Sequence, residues 1–427
     1  MGAIKMIKAT KTHIIGAGMS GLSAAVSLIK TGHGVVLHES AGHAGGRCRS
    51  FQDDAMGCRI DNGNHLLLGG NRAAYAYLKD IGAEDSLTGP ERAEFHFLDL
   101  KTAERWTVTL NAGFLPKAIF SKAGRVPGSR PIDYLRAFRL AWAGGEATVA
   151  QCLGPDNALF RRFWEPIAVA VLNTAAEEGA ASLLSTVMRE TLFRGEAACR
   201  PLIAKQGLSE SFVDPAIRFL EGRGADIGLN NRLRGLNIED GRVAELDFGD
   251  GSVALDDGDT VVLAVPPPVA AGLVPGLRTP GEFRAIVNGH FRLERKIEGF
   301  SFLGLNGGLG QWLFVRGDVA SVTVSAADDL AEKDNASIAG RLWADVALGL
   351  GLGLGDVPLP PHRIVKEKRA TFAQTPEQEK RRPGARTGLK NLFLAGDWIA
   401  TGLPATIEGS IRSGRTAADM ILSFMSS

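Results

Sequence analysis

Cysteine is scarce in this 427-residue chain: four residues, Cys48, Cys58, Cys152 and Cys199, with no Cys-x-x-Cys pair and no metal-ligand spacing. That excludes a disulfide-stapled scaffold and a zinc ribbon, and it makes a reducing cytoplasm the expected compartment. Charge of one sign is missing too: 48 Lys and Arg against 47 Asp and Glu leave a net +1, no field for gathering nucleic acid. Long apolar runs are absent. The nearest, VVLAVPPPVAAGLVPGL at 261–277, is broken by prolines and glycines, so no spanning helix is predicted. The basic arm of Lys5, Lys8 and Lys11 leads into an apolar stretch too short for a signal peptide. Met6 also stands where a myristoylation pattern needs Ser or Thr. No metal site is expected.

What is present is glycine, 53 residues of it, which predicts tight turns and close backbone approaches to a ligand. The length predicts two domains. THIIGAGMSGLSAAVSLIKTGHGVVLHES, at 12–40, reads as strand, glycine turn, helix, strand and acid. Gly16 permits the turn, Gly18 lets the backbone reach a pyrophosphate, and Gly21 lets the helix lie on the sheet. The anion would sit on the helix N-terminus, and Glu39 would accept from ribose hydroxyls. This fingerprint alone does not separate NAD from FAD. It is the only one: LGLGLGLGD at 348–356 never spells the motif and is read as a loop, so no built-in NAD(P)H site is expected. Residues 208–221 predict a helix, followed by a β-meander with turns at EDGR, GDGS and DDGD.

Gly45-Gly46-Arg47 follows Glu39 after a short loop, and NLFLAGDWIATGLPATIEGS closes the chain at 391–410. Together these resemble the flavoproteins of the amine oxidase and phytoene desaturase superfamily. The resemblance implies an α/β fold with a Rossmann-like, GR2-type FAD-binding domain and an inserted α+β substrate domain. It assigns 1–70, 206–267 and 391–427 to the FAD domain, and 71–205 and 268–390 to the substrate domain. The cofactor implied is FAD. Its pyrophosphate would lie along Gly16, Gly18, Met19, Ser20, Gly21, Gly45, Gly46 and Arg47, its adenine against Leu233, and its isoalloxazine beside Asn64 and His65. Gly396 and Asp397 would meet the ribityl chain. A helix beginning near Pro404 would aim N–H groups of Ala405, Thr406 and Ile407 at the flavin edge, where the dipole favours the charge of the reduced ring.

FWEPIAVAVLNT at 163–174, DNGNHLLLGGNR at 61–72, QWLFVRG at 311–317 and KRATFAQTP at 368–376 narrow the resemblance to the hydroxysqualene dehydroxylases of bacterial hopanoid synthesis. That family reduces hydroxysqualene to squalene with reduced FAD and loss of water. Such chemistry needs an apolar tunnel, one proton donor and little water. His65 is the expected donor, or a ligand orienting water, with Glu165 and Glu408 as further acids. The substrate is a polyprenyl lipid. Residues 107–145 interleave Lys117, Lys122, Arg125, Arg130, Arg136 and Arg139 with Phe114, Leu115, Ile119, Phe120, Leu135, Phe138 and Trp142, which suits a patch on the inner face of the cell membrane. The external electron donor is unassigned. A phytoene-type desaturase, an amine oxidase and a non-catalytic FAD-binding protein are the alternatives. The amine oxidase is disfavoured by three tyrosines (Tyr75, Tyr77, Tyr134) that all lie early in the chain, leaving Trp398 as its remaining support.

Overall fold

A computed structural model describes residues 10–110, 121, 124–299, 302–352 and 357–425. Five parallel strands form one sheet: Asp226–Gly228, Gly34–His38, Lys11–Ile15, Thr260–Leu263 and Leu392–Leu394, side by side in that order. The first two strands in the chain are central neighbours, and later strands add outward on either side. This is one half of a doubly wound sheet, with its switch point above Lys11–Ile15. The strands are short, almost wholly buried and rich in Val, Ile and Leu, as parallel strands covered on both faces must be.

Helix Met19–Ile29 packs along the C-terminal helix Ile407–Met425. Their contact is close enough that a Cβ on Gly414 would stand 2.1 Å from the Ser20 carbonyl oxygen. Ser23 Oγ donates to the Ile411 carbonyl at 2.8 Å. Ile407, Ile411, Ala418 and Ile421 form an apolar stripe that is buried there. The expected helix start is corrected, however: the helix begins at Ile407, so Pro404 precedes it and supplies no first turn. Thr406 caps it instead, its Oγ1 accepting from the Gly409 N–H at 3.1 Å.

The β-meander is present as Gly235–Glu239, Arg242–Asp247 and Ser252–Ala254. Its first turn places Asp240 and Gly241 at φ +48° and +74°, the left-handed pair that matches strand twist in a tight hairpin. A second, seven-stranded sheet runs in the order His362–Phe372, Phe283–Arg292, Val319–Val324, Trp312–Arg316, Phe302–Asn306, Glu94–Asp99 and Arg105–Thr109. One face packs on helix Asn335–Leu350 through Val287, Leu303, Leu313, Val315 and Val322. That helix takes in Leu348, Gly349 and Leu350, which corrects the loop expected from 348; residues 353–356 lie outside the described residues. Among the described residues no helix is long and apolar enough to cross a membrane.

Candidate functional site

The turn after Lys11–Ile15 is one that glycine alone can make. Gly16 has φ +105°, and a Cβ there would stand 2.5 Å from the Ala264 carbonyl oxygen. On Gly21 a Cβ would stand 1.9 Å from the Gly16 oxygen. Gly18 differs: a Cβ there would meet nothing within 4 Å. No protein neighbour demands glycine at that point, so the free volume above it is room for a ligand. Gly18 also caps helix Met19–Ile29 without a side chain, which leaves the first-turn N–H groups, including those of Met19 and Ser20, open to an acceptor. Gly45 and Gly46, at φ +102° and +55°, run alongside, and the Gly45 N–H donates to the Ala17 carbonyl at 2.8 Å. A glycine-walled trough over an open helix N-terminus fits a phosphate-bearing cofactor.

Glu39 is held ready at one end of this trough. Its Oε2 accepts from the Ala17 N–H and its Oε1 from the Ala41 N–H, both at 2.8 Å, and Oε1 also accepts from Ser40 Oγ at 3.0 Å, which leaves a free lone pair on Oε2. Beyond it the Asn231 N–H donates to the Glu39 carbonyl at 2.7 Å, bringing in the segment that carries buried Leu233.

At the other end Arg47 Nη2 lies 2.8 Å from Asp397 Oδ2, and Arg47 Nη1 also donates to the Ala370 carbonyl. The two charges come from opposite ends of the chain. Neighbouring Gly396 donates its N–H to Ser413 Oγ at 3.0 Å, which ties the strand end to the C-terminal helix. Of the three amides expected to face a ring, that of Ala405 is already taken, donating to Gln374 Oε1 at 2.8 Å. Those of Thr406 and Ile407 donate to no group among the described residues.

The seven-stranded sheet supplies the facing wall. Strand alternation puts Asn288, His290, Ser321, Thr323, Trp312, Phe314, Phe302 and Phe97 on the face turned away from helix Asn335–Leu350. The polar members sit on neighbouring strands at one side. Thr323 Oγ1 donates to Asn288 Oδ1 at 2.8 Å and accepts from Asn64 Nδ2 at 3.0 Å, which fixes the segment before His65. The aromatic members follow on the next strands, centred on buried Phe97, which stacks on Trp106 at 5.5 Å and meets Trp312 edge-on at 5.6 Å. Leu66 and Leu68, just past His65, pack on this aromatic cluster. The wall therefore passes from amide and hydroxyl to aromatic and aliphatic side chains within a few strands. The Nε1–H groups of Trp106, Trp164 and Trp312 are buried without an acceptor among the described residues.

The three expected acids lie in different surroundings. Burial pushes the His65 imidazole down to about 4, against a smaller upward pull from Asp61, so it is neutral at pH 7. Burial, aided by Glu177, pushes the Glu165 carboxyl up; it opens helix Glu165–Leu172, whose Ile167 and Val171 pack on the aromatic cluster. Glu408 is committed elsewhere. Its oxygens accept from the Ala73 and Ala74 N–H groups at 3.0 and 2.8 Å and from Arg412 at 2.8 Å, so it caps helix Arg72–Asp80. Trp398 is also accounted for: it is fully buried and its Nε1 donates to the Val265 carbonyl at 3.0 Å, so it frames no amine.

Sequence reasoning missed Asn288, Thr323, Gln374 and Arg382. The first two are ordinary strand residues, and only register brings them under Asn64. Gln374 carried a signal in its neighbours, since KRATFAQTP was singled out without a role. Its Nε2 donates to the Leu172 carbonyl at 2.5 Å, and its backbone N–H donates to Thr174 Oγ1 at 2.9 Å. Two of the quoted motifs thus meet at one buried knot beside Ala405.

A family model described as "Flavin containing amine oxidoreductase" matches residues 19–422. The hydroxysqualene dehydroxylase of Sinorhizobium fredii is 50% identical over 411 residues, 96% of this chain and 98% of that protein. The probable zeta-carotene desaturase of Synechococcus elongatus is 24% identical over 473 residues, 96% of this chain and 98% of its own. Among solved structures, cyclohexylamine oxidase from Brevibacterium oxydans superposes with a TM-score of 0.69 at 17% identity, covering 98% of this chain and 100% of that one. The last shares the fold. With the family match spanning nearly every element that forms the trough and its facing wall, the chain belongs to the flavin containing amine oxidoreductases.

Proposed function

We propose that this protein catalyses the reductive dehydroxylation of hydroxysqualene to squalene, in hopanoid-type triterpenoid synthesis, with FAD as its flavin. The observation that carries the reading is 50% identity to a hydroxysqualene dehydroxylase along 96% of the chain, twice the figure for the carotene desaturase. The polar-to-aromatic wall supports it, because a polyprene with one hydroxyl needs that succession. FAD, rather than a mononucleotide, is favoured by Glu39 and Leu233, which extend the trough to an adenosine beyond the glycine turn. The flavin part is taken as 1–70, 206–267 and 391–427, and the substrate part as 71–205 and 268–390.

When bound and reduced, the flavin supplies the hydride. The chain's own residues do the rest. Gly18, Gly45, Gly46 and Arg47 hold the phosphates, Asp397 the ribityl chain, and Thr406 and Ile407 offer donors to the ring edge. Asn64, pinned by Thr323, sets the entry of His65. With a pKa of about 4, His65 is a poor imidazolium donor at neutral pH, so its role here is to orient the hydroxyl or a water. Glu165, whose carboxyl is pushed up, is the acid whose chemistry suits proton delivery. The aromatic cluster excludes water and lays π-faces along the chain of the substrate.

The lipid would enter from a bilayer. Ile132, Leu135, Phe138 and Trp142 are 63%, 55%, 38% and 79% exposed on adjoining short helices, with exposed Arg139 among them. Phe138 stacks on Phe193, which packs against the inner aromatic cluster, so the surface patch and the interior are continuous. An apolar patch with basic residues suits an anionic membrane surface. Phe114, Leu115, Lys117, Ile119, Phe120 and Lys122 of the expected patch lie outside the described residues.

Chemically reduced holoprotein given hydroxysqualene should yield squalene and oxidised flavin. Formation of a polyene from squalene by oxidised protein would replace this reading with a desaturase, and peroxide release from primary amines with an amine oxidase.

A further inference from the structure

Arg382 has a side chain with no solvent exposure at all. Its Nη1 donates to Glu379 Oε2 at 2.7 Å and to the Leu403 carbonyl at 2.8 Å. Its Nη2 donates to the carbonyls of Asp397, at 3.2 Å, and of Ile399, and to Thr401 Oγ1 at 3.4 Å. The Phe372 ring lies 5.3 Å away under the guanidinium. One buried cation thus gathers three carbonyls of the loop from Asp397 to Leu403, and Gln374 grips the amide of Ala405 just beyond it.

The consequence lies on the other side of the Asp397–Trp398 peptide. In a trans peptide unit the C=O and N–H point in opposite directions. Turning the Asp397 carbonyl toward Arg382 therefore turns the Trp398 N–H away from it. The amides of Asp397 and Trp398 donate to no group among the described residues, although both residues are buried. Two adjacent buried N–H groups without acceptors are costly unless a ligand supplies one. They stand beside the Asp397 carboxylate, at the place assigned to the flavin's ribityl chain.

We propose that Arg382 is a positioning residue that sets the redox poise of the bound flavin, by clamping the Asp397 carbonyl so that the Trp398 amide behind it faces the cofactor, while its bonds to Ile399 and Leu403 hold the loop in place. The proposal rests on the flavin reading above. Fixed donors and a nearby cation stabilise the negative charge of reduced flavin, so they raise its midpoint potential. Glu379, on the far side of the guanidinium, damps the effect.

The test is reductive titration of FAD-loaded protein against a dye of known potential, with FAD affinity and the melting temperature of the flavin-free protein measured alongside. Arg382→Met should bind FAD on the order of tenfold more weakly and shift its potential to more negative values. Arg382→Lys, which keeps the charge but reaches fewer carbonyls, should fall between it and the wild type. Glu379→Gln should shift the potential the opposite way, to more positive values. An FAD-loaded Arg382→Met protein with the wild-type potential overturns the proposal, even if its flavin-free form melts early, because a purely structural role would do only that. Should Arg382→Met fail to fold, Glu379→Gln decides: a positive shift supports the clamp, and an unmoved or negative one overturns it. A colourless wild type that cannot take up FAD would end the flavin reading itself, whereas a yellow wild type with unmoved variants ends only this inference.

Discussion

Arg47 and Asp397, 350 positions apart in sequence, lie with Nη2 and Oδ2 2.8 Å apart, and this ion pair closes the trough between the two ends of the chain. Arg47 is 43% exposed, so the pair contributes little to stability, within about 1 kcal/mol. In the proposed function its importance lies in placing both groups against the flavin. Asp397→Asn should leave the melting temperature of the flavin-free protein nearly unchanged while lowering flavin content after purification. A large loss of thermal stability with full flavin content would contradict this.

Two glycines of the same fingerprint should respond in opposite ways. Gly21→Ala puts a methyl 1.9 Å from the Gly16 carbonyl oxygen and should prevent folding of the first strand and helix. Gly18→Val meets no protein atom within 4 Å of its Cβ, so it should fold and melt like the wild type yet bind no flavin. Absorbance near the flavin band, set beside a thermal melt, separates the two.

Glu408 is buried and caps a helix while pairing with Arg412. Glu408→Gln should lower stability by ~1–3 kcal/mol, the usual cost of losing a charged partner in a buried network. Turnover per bound flavin and its pH profile should be unchanged. A shifted pH profile would return Glu408 to the list of acids.

Acid should destabilise the flavin-free protein over a defined window. An unfolded histidine takes up its proton near pH 6.5, whereas burial holds His38, His65 and His290 neutral down to about 4. Between those limits the unfolded chain binds more protons than the folded one. Stability is therefore full above about pH 6.5 and falls as the pH drops toward 4, by up to ~1.4 kcal/mol per unit for each group. Replacing His290, which shares a 2.7 Å hydrogen bond with Ser321, by Gln should flatten the slope by one proton. An unaltered slope would mean that His290 is already charged.

Trp142 and Leu135 are exposed and apolar. Trp142→Glu combined with Leu135→Glu should abolish sedimentation with vesicles containing anionic lipid, while a detergent-dispersed substrate is still turned over. Undiminished vesicle binding would place the membrane contact elsewhere.

The glycine turn, Glu39 and the Gly-Asp step were legible because each acts through local geometry: a forced left-handed φ, an uncapped helix, an acid ending a strand. The position of the C-terminal helix start was not, because Thr406 competes with Pro404 and wins by accepting from Gly409. Glu408 read as an acid because a carboxylate's chemistry depends on its neighbours, and Ala73 and Ala74 are over 300 residues away.

The amino-acid order by itself determined the glycine turn and the flavin family, since both are written in short segments whose backbone admits few alternatives. Tertiary packing alone decided which groups are neutral, which amides stay free and which wall pins Asn64. Those properties depend on burial, and on partners that neither a motif nor its spacing contains.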